Sequence, residues 1–120
     1  MTDAMLTITL EDMKFYAGHG NYPEEKILGN TFLVDTSVSI EQTAPVTRLS
    51  QTVDYEKLYE IVAGEMHTRA DMLETLGERC VRHIKEAFPA ARVIELKISK
   101  LHPPIGGEVA RSTVTLRKTF

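Results

Sequence analysis

Lys100 is the residue whose position first suggests chemistry. It continues the alternation of Ile94, Leu96 and Ile98, so it shares their face at the end of their run. A lysine on an apolar face is unusual. Either the strand has ended and the side chain reaches past apolar surface to water, or the ammonium stands at a pocket mouth, where it can give or take a proton. Glu74 has two readings as well. It lies three residues after Asp71, the spacing of a capping box at a helix start. Alternatively, standing between Leu73 and Leu76, it is a carboxylate in an apolar-walled site, able to accept two parallel N–H bonds from a ligand edge. Tyr55, just after Thr52-Val53-Asp54, is either a core aromatic or a hydroxyl that moves a proton. The segment Gly18-His19-Gly20-Asn21-Tyr22-Pro23-Glu24-Glu25 is richer than a plain connector, since its glycines allow close backbone approach to a ligand. Its paired carboxylates also suit an ordinary solvated loop.

Other reactive patterns are missing. His19, His67, His83 and His102 show no HxxxH spacing, and the single Cys80 excludes a CxxC pair, so no metal site is expected. No phosphate-binding GxxxxGK[ST], no GxGxxG after a strand and no serine nucleophile elbow occur. Cys80 falls at an apolar helical position and reads as core.

The elements that must position these residues follow from two periodicities. Alternation of Leu6, Ile8 and Leu10 predicts a strand over about 6–16. Three glycines and a proline make 17–30 a loop. Phe32, Val34, Val38 and Ile40 share one face of a second strand, and a polar loop follows through Pro45 and Ser50. The period then becomes helical: Tyr55, Leu58, Tyr59, Val62 and Met66 in one helix, Leu73, Leu76, Cys80, Ile84 and Phe88 in the next. Asp71 is the expected cap of the second helix and Pro89 its end. A strand carrying Ile94, Leu96 and Ile98, a loop over 102–107, and a last strand over about 109–117 with Val114 and Leu116 inward complete the chain. The order ββααββ segregates strands from helices, which predicts an α+β class with an antiparallel four-stranded sheet and both helices on one face. Such a sheet leaves edges that need pairing, so an oligomer is expected.

Composition narrows the rest. At 120 residues with no linker or repeat, one domain over 1–120 is expected. Fourteen basic against 17 acidic residues, net −3, argue against a nucleic-acid surface. Apolar runs of only a few residues argue against a membrane span. The start Met-Thr-Asp-Ala-Met lacks a basic, apolar leader, and a lone cysteine permits no internal disulfide, so a cytoplasmic location is expected.

Together these pieces resemble the dihydroneopterin aldolase family. Phe15-Tyr16-Ala17-Gly18-His19-Gly20, then Pro23-Glu24-Glu25 and Gly29-Asn30-Thr31-Phe32, are similar to its first-loop signature. Thr52-Val53-Asp54-Tyr55, Leu73-Glu74-Thr75-Leu76-Gly77-Glu78, and Ile98-Ser99-Lys100 with Pro103-Pro104-Ile105 resemble its later motifs, in the same order. The chain departs in having Leu101-His102 after Lys100, where a proline is common, and Gly77 where alanine is frequent. The resemblance implies a tunnelling fold whose sheets pair edge to edge into a barrel ring, a tetramer, with two rings stacking into an octamer and active sites between subunits. It implies retro-aldol cleavage of a reduced pterin, 7,8-dihydroneopterin, to 6-hydroxymethyl-7,8-dihydropterin and glycolaldehyde, with no metal and no cofactor. In that scheme Lys100 is the main acid/base group, Tyr55 from the adjacent subunit assists, and Glu25 places Lys100 or water. Glu74 anchors the pterin, helped by backbone near Leu73 and Val53.

Two rivals remain. A dihydroneopterin triphosphate 2′-epimerase shares the fold, and Lys100-Leu101-His102 is reminiscent of that branch, but its substrate calls for a basic rim that no dense Lys/Arg cluster supplies. A ring-forming interaction module without catalysis would bind no pterin or leave it unchanged.

Overall fold

The computed structural model describes residues 4–120. The reading of the N-terminal start rests partly on residues 1–3 and to that extent lies outside them. Four antiparallel strands, β1 (Ala4–Ala17), β2 (Asn30–Gln42), β3 (Val93–Leu101) and β4 (Arg111–Thr119), lie in the order β1-β2-β3-β4. Helices α2 (Tyr55–Met66) and α3 (Leu73–Ala87) cover one face, α2 against β1 and α3 against β3 and β4. A short helix, α1 (Pro23–Leu28), joins β1 to β2. The class is therefore α+β, as expected, but the order is β-α-β-α-α-β-β and corrects the ββααββ expectation. The residues that read as loop signals are the borders of α1. Pro23 opens it, where its fixed φ suits a first turn, and Gly29 closes it at φ 69°.

The apolar face runs through every strand. Phe32, Val34, Val38 and Ile40 of β2 and Ile94, Leu96 and Ile98 of β3 are buried under Leu58, Ile61, Val62 and Met66 of α2 and Leu73, Leu76, Cys80, Val81 and Ile84 of α3. Thr36 continues the β2 row and is buried with it. In β1 the alternation slips. Leu10 pairs with Thr36 and Met13 with Val34, so Glu11 and Asp12 together oppose Asp35. Asp12 takes φ 54°, and its N–H donates to Asp35 Oδ1 at 2.7 Å. Without this bulge, one extra residue would turn the rest of the strand over. With it, Leu6, Ile8 and Leu10 hand over to Met13, Phe15 and Ala17 on the same core.

Three further expectations are corrected. Tyr59 does not join the core, with an exposure of 47%, and of the two readings left open for Tyr55 the core one falls, since it is 60% exposed. The buried stripe of α2 begins one turn later, at Leu58, and Tyr59 instead stacks on Phe15 at 6.0 Å. Asp71 does not cap α3, whose N-cap is Met72 without a side-chain bond. The Asp71 carboxylate instead faces the Arg69 guanidinium at 2.5 Å, a charge-assisted bond between two ionised groups. The last strand starts at Arg111, not near Val109, because the turn after β3 closes later, with His102 N–H donating to Ala110 O at 2.9 Å.

Candidate active site

β3 carries Lys100 to the end of its buried row, opposite Phe32 of β2 and Ser112 of β4. Lys100 is 9% exposed, so it does not escape to water, and its Nζ donates to Glu25 Oε1 at 2.6 Å. The ammonium also lies 5.8 Å from the centre of the Phe32 ring. Glu25 is the third residue of α1 and is itself 8% exposed. Its second oxygen, Oε2, accepts the Tyr22 N–H at 3.3 Å, so the carboxylate is held from both sides. In this position each of the two charges satisfies the other.

The pair borders an open pocket of about 280 Å³. Leu73 and Glu74, at the start of α3, form another wall, and Pro103, Pro104 and Ile105 from the β3–β4 turn a third. Glu74 is exposed, and with α3 uncapped by any side chain its carboxylate is not engaged in a capping box. The site thus brings together a hydrogen-bonded lysine–carboxylate pair and an available carboxylate next to buried Leu73.

Of the residues singled out from the sequence, Glu25, Leu73, Glu74 and Lys100 come together here. Val53 and Tyr55 do not. Val53 is 3% exposed in the core, and Tyr55 points into solvent at the start of α2. His19 is structural. It is buried, its Nε2–H donates to Met66 O at 2.8 Å, and its Nδ1 accepts the Ala70 N–H at 3.1 Å. That pattern requires the neutral ring, and burial, aided by nearby Arg79, Arg69 and Lys100, holds its pKa below the ordinary imidazole value despite the Met66 bond. Cys80 is core, and burial with the nearby Glu65 pushes its thiol pKa up to about 12, which leaves it unreactive.

One participant went unread in the sequence. Arg69, between α2 and α3, donates from Nε to Gly18 O at 3.0 Å and from Nη2 to Gly20 O at 2.5 Å. No periodicity or motif marks it, because its partners lie about fifty residues away. Among the described residues no cluster of three His, Cys, Asp or Glu side chains could hold a metal ion.

Residues 8–117 match the FolB dihydroneopterin aldolase family model. The chain belongs to the dihydroneopterin aldolase family. A dihydroneopterin aldolase of Streptococcus pyogenes is 35% identical over 117 residues, covering 92% of this chain and 96% of the relative. Among solved structures, the Escherichia coli dihydroneopterin aldolase in complex with neopterin superposes with a TM-score of 0.76 at 17% identity, covering 93% and 97% of the two chains. A dihydroneopterin aldolase of Burkholderia thailendensis bound to guanine gives 0.75 at 16% identity, covering 97% and 92%. The fold of the family is therefore shared over nearly the full length.

Proposed function

We infer that this protein is a dihydroneopterin aldolase of folate biosynthesis, a lyase acting on 7,8-dihydroneopterin. The observation that carries the reading is the buried Lys100–Glu25 pair lining one pocket together with Glu74. The Glu74 carboxylate accepts the 2-amino and N3–H groups of the pterin in a parallel pair of bonds. This seats the ring between apolar walls and carries the side chain toward Lys100. Once its ammonium proton has passed to the Glu25 carboxylate beside it, Lys100 takes the proton of the second side-chain hydroxyl, directly or through a water. The bond between the first and second side-chain carbons breaks, the second carbon leaves as the aldehyde of glycolaldehyde, and the bonding electrons pass into the C=N bond of the dihydropterin. The resulting enamine takes a proton back at the first carbon, giving 6-hydroxymethyl-7,8-dihydropterin. The substrate is its own electron sink, so the scheme needs neither metal nor cofactor. The protein supplies orientation and proton transfer.

The pocket chemistry favours this substrate over a triphosphate. Its charged side chains are Glu25, Asp71, Glu74 and Lys100, three acids to one base, the reverse of what a polyphosphate demands. Recapture of the aldehyde on its other face would give the epimer as a side product.

The pocket is completed, in this reading, by a neighbouring copy. The sheet ends in two free edges, β1 and β4, and Tyr55 is solvent-facing. Four chains pairing edge to edge form the barrel ring, two rings form the octamer, and Tyr55 of each chain, with backbone near Val53, serves the adjacent site. The protein is a single domain over 1–120 and works in the cytoplasm.

The test is product analysis after anaerobic incubation with 7,8-dihydroneopterin in the presence of a chelator. Formation of 6-hydroxymethyl-7,8-dihydropterin and glycolaldehyde is expected. Dihydromonapterin alone would move the protein to the epimerase branch, and no conversion of this substrate or its triphosphate would remove the catalytic reading.

A further inference from the structure

We propose that Arg69 is a positioning residue for the Lys100–Glu25 pair, acting through the backbone of Gly18 and Gly20. Its consequence for turnover rests on the aldolase reading; the geometric claim stands without it.

Gly20 is the wall against which the pair is set. A Cβ built on Gly20 would lie 1.6 Å from Glu25 Oε2 and 2.8 Å from Lys100 Nζ, so its backbone touches both charged groups. Whatever fixes Gly20 fixes the space they occupy. α1 does not do this, since it begins three residues later, at Pro23. The constraint comes from the α2–α3 connector. Gly20 N–H donates to Ala70 O at 3.1 Å, and Gly20 O accepts from Arg69 Nη2. Arg69 Nε takes Gly18 O in the same grip, and Nη1 is held by Asp71. Between the two glycines, His19 is bonded to Met66 O and Ala70 N–H.

The fork of a guanidinium is what this arrangement uses. Two carbonyls two residues apart and one carboxylate are met by three N–H groups in one plane. Asp71 neutralises the charge so that the cation does not act on Lys100 unopposed. In turn the Arg69 bond holds the Asp71 carboxyl below the usual carboxylate range. Arg69 does not line the pocket, so it acts through the Gly18–Gly20 segment and the Asp71 carboxylate that it holds.

The experiment compares wild type with Arg69→Ala and Arg69→Lys. Folding is checked by circular dichroism. The acetylation rate of Lys100 is read by mass spectrometry as a function of pH, and turnover and product binding are measured separately. In folded R69A, Lys100 acetylates several-fold faster, and turnover falls roughly 10- to 100-fold. Product binding changes by no more than about threefold, a fraction of the 1.4 kcal/mol that a tenfold change represents. Added guanidinium restores part of the turnover. R69K, with one donor group where two carbonyls need holding, falls between the two and carries the same test if R69A does not fold. A folded variant in which Lys100 acetylates at the wild-type rate overturns the proposal, and so does a parallel fall of binding and turnover. If acetylation rises as expected but wild type does not cleave dihydroneopterin, the positioning role stands and the aldolase reading falls alone.

Discussion

Gly20→Ala isolates the geometry on which the proposed chemistry depends. Gly20 has φ +148°, a region L side chains rarely adopt, and an added methyl would sit 1.6 Å from Glu25 Oε2 and 2.3 Å from Glu25 Cδ. The backbone has little freedom to retreat, since its N–H is bonded to Ala70 O and its carbonyl to Arg69. The carboxylate must therefore move. From 1.6 Å to the 3.4 Å of ordinary contact is a retreat of about 1.8 Å, beyond the ~1 Å scale at which misplaced groups lose about 100-fold in rate. A 2.6 Å bond to Lys100 does not survive it.

The stability loss is smaller than breaking a buried pair suggests. An orphaned, fully enclosed charge costs about 3–5 kcal/mol. Glu25 and Lys100 border an open pocket, and both can turn toward water once separated. Backbone strain of about 1–3 kcal/mol is then the main term. Denaturant unfolding with turnover of 7,8-dihydroneopterin reads both quantities. The expected result is a folded protein, destabilised by that amount, that binds the pterin product through Glu74 but turns over roughly 100-fold more slowly. A folded G20A variant within about threefold of wild-type turnover would refute the claim that this pair sets the rate. Unchanged stability would refute the steric argument itself.

Four other substitutions separate the remaining roles. Lys100→Ala is expected to bind the pterin product and lose most turnover, whereas Glu74→Ala loses binding first; the opposite pattern in titration and rate measurements would exchange the two assignments. His19 makes stability depend on pH. Its folded pKa lies below the ordinary value of about 6.5, so the unfolded chain takes up the proton first, and stability is complete above about pH 6.5 and declines as pH falls through it. His19→Gln, which can still donate and accept but does not titrate, should flatten that slope in denaturant midpoints between about pH 7.5 and 5.5. An unchanged slope would place the titrating group elsewhere. Gly77→Ala is expected to stabilise by about 0.5–1 kcal/mol through lower unfolded-state entropy. The new methyl meets Leu116 Cδ2 at 3.7 Å and Leu96 Cδ2 at 3.8 Å, ordinary contacts, and a lowered midpoint would show that α3 lies too close to the sheet.

The parts of the fold legible in the sequence are those whose signal lies within one element. Val34, Val38, Ile94, Leu96 and Ile98 alternate because one sheet face is under helices, and Leu76, Cys80 and Ile84 recur because one stripe of α3 faces that sheet. The bulge in β1 leaves a trace too, since the apolar positions change parity between Leu10 and Met13. α1 was hidden because six residues hold too few turns for a period, and its glycine and proline borders read equally well as loop. Asp71 was misread for a related reason. Its capping position is a local signal, and the competing guanidinium, two residues away, is oriented by the Gly18 and Gly20 carbonyls of the β1–α1 connection.

The site divides along the same line. The parity of Lys100 could be read because its own strand supplies the reference, and the burial of that side chain follows from the run that precedes it. What Lys100 bonds to could not be read from periodicity or spacing, because Glu25 is 75 residues away and on an element without periodicity; only the family resemblance pointed to it. Tyr55 shows the limit of spacing from the other side. It has helical spacing to Leu58 and Val62, yet spacing fixes only a direction around the axis, and the core begins beyond the first turn. A direction becomes an environment only when a second element arrives, and each arrival here is long-range: β2 beside β3, α1 over Lys100, the α2–α3 connector onto Gly20. The residues proposed to meet substrate are therefore recognisable by type and position, while those that hold them in place, Arg69 above all, acquire their meaning only after the chain has closed on itself.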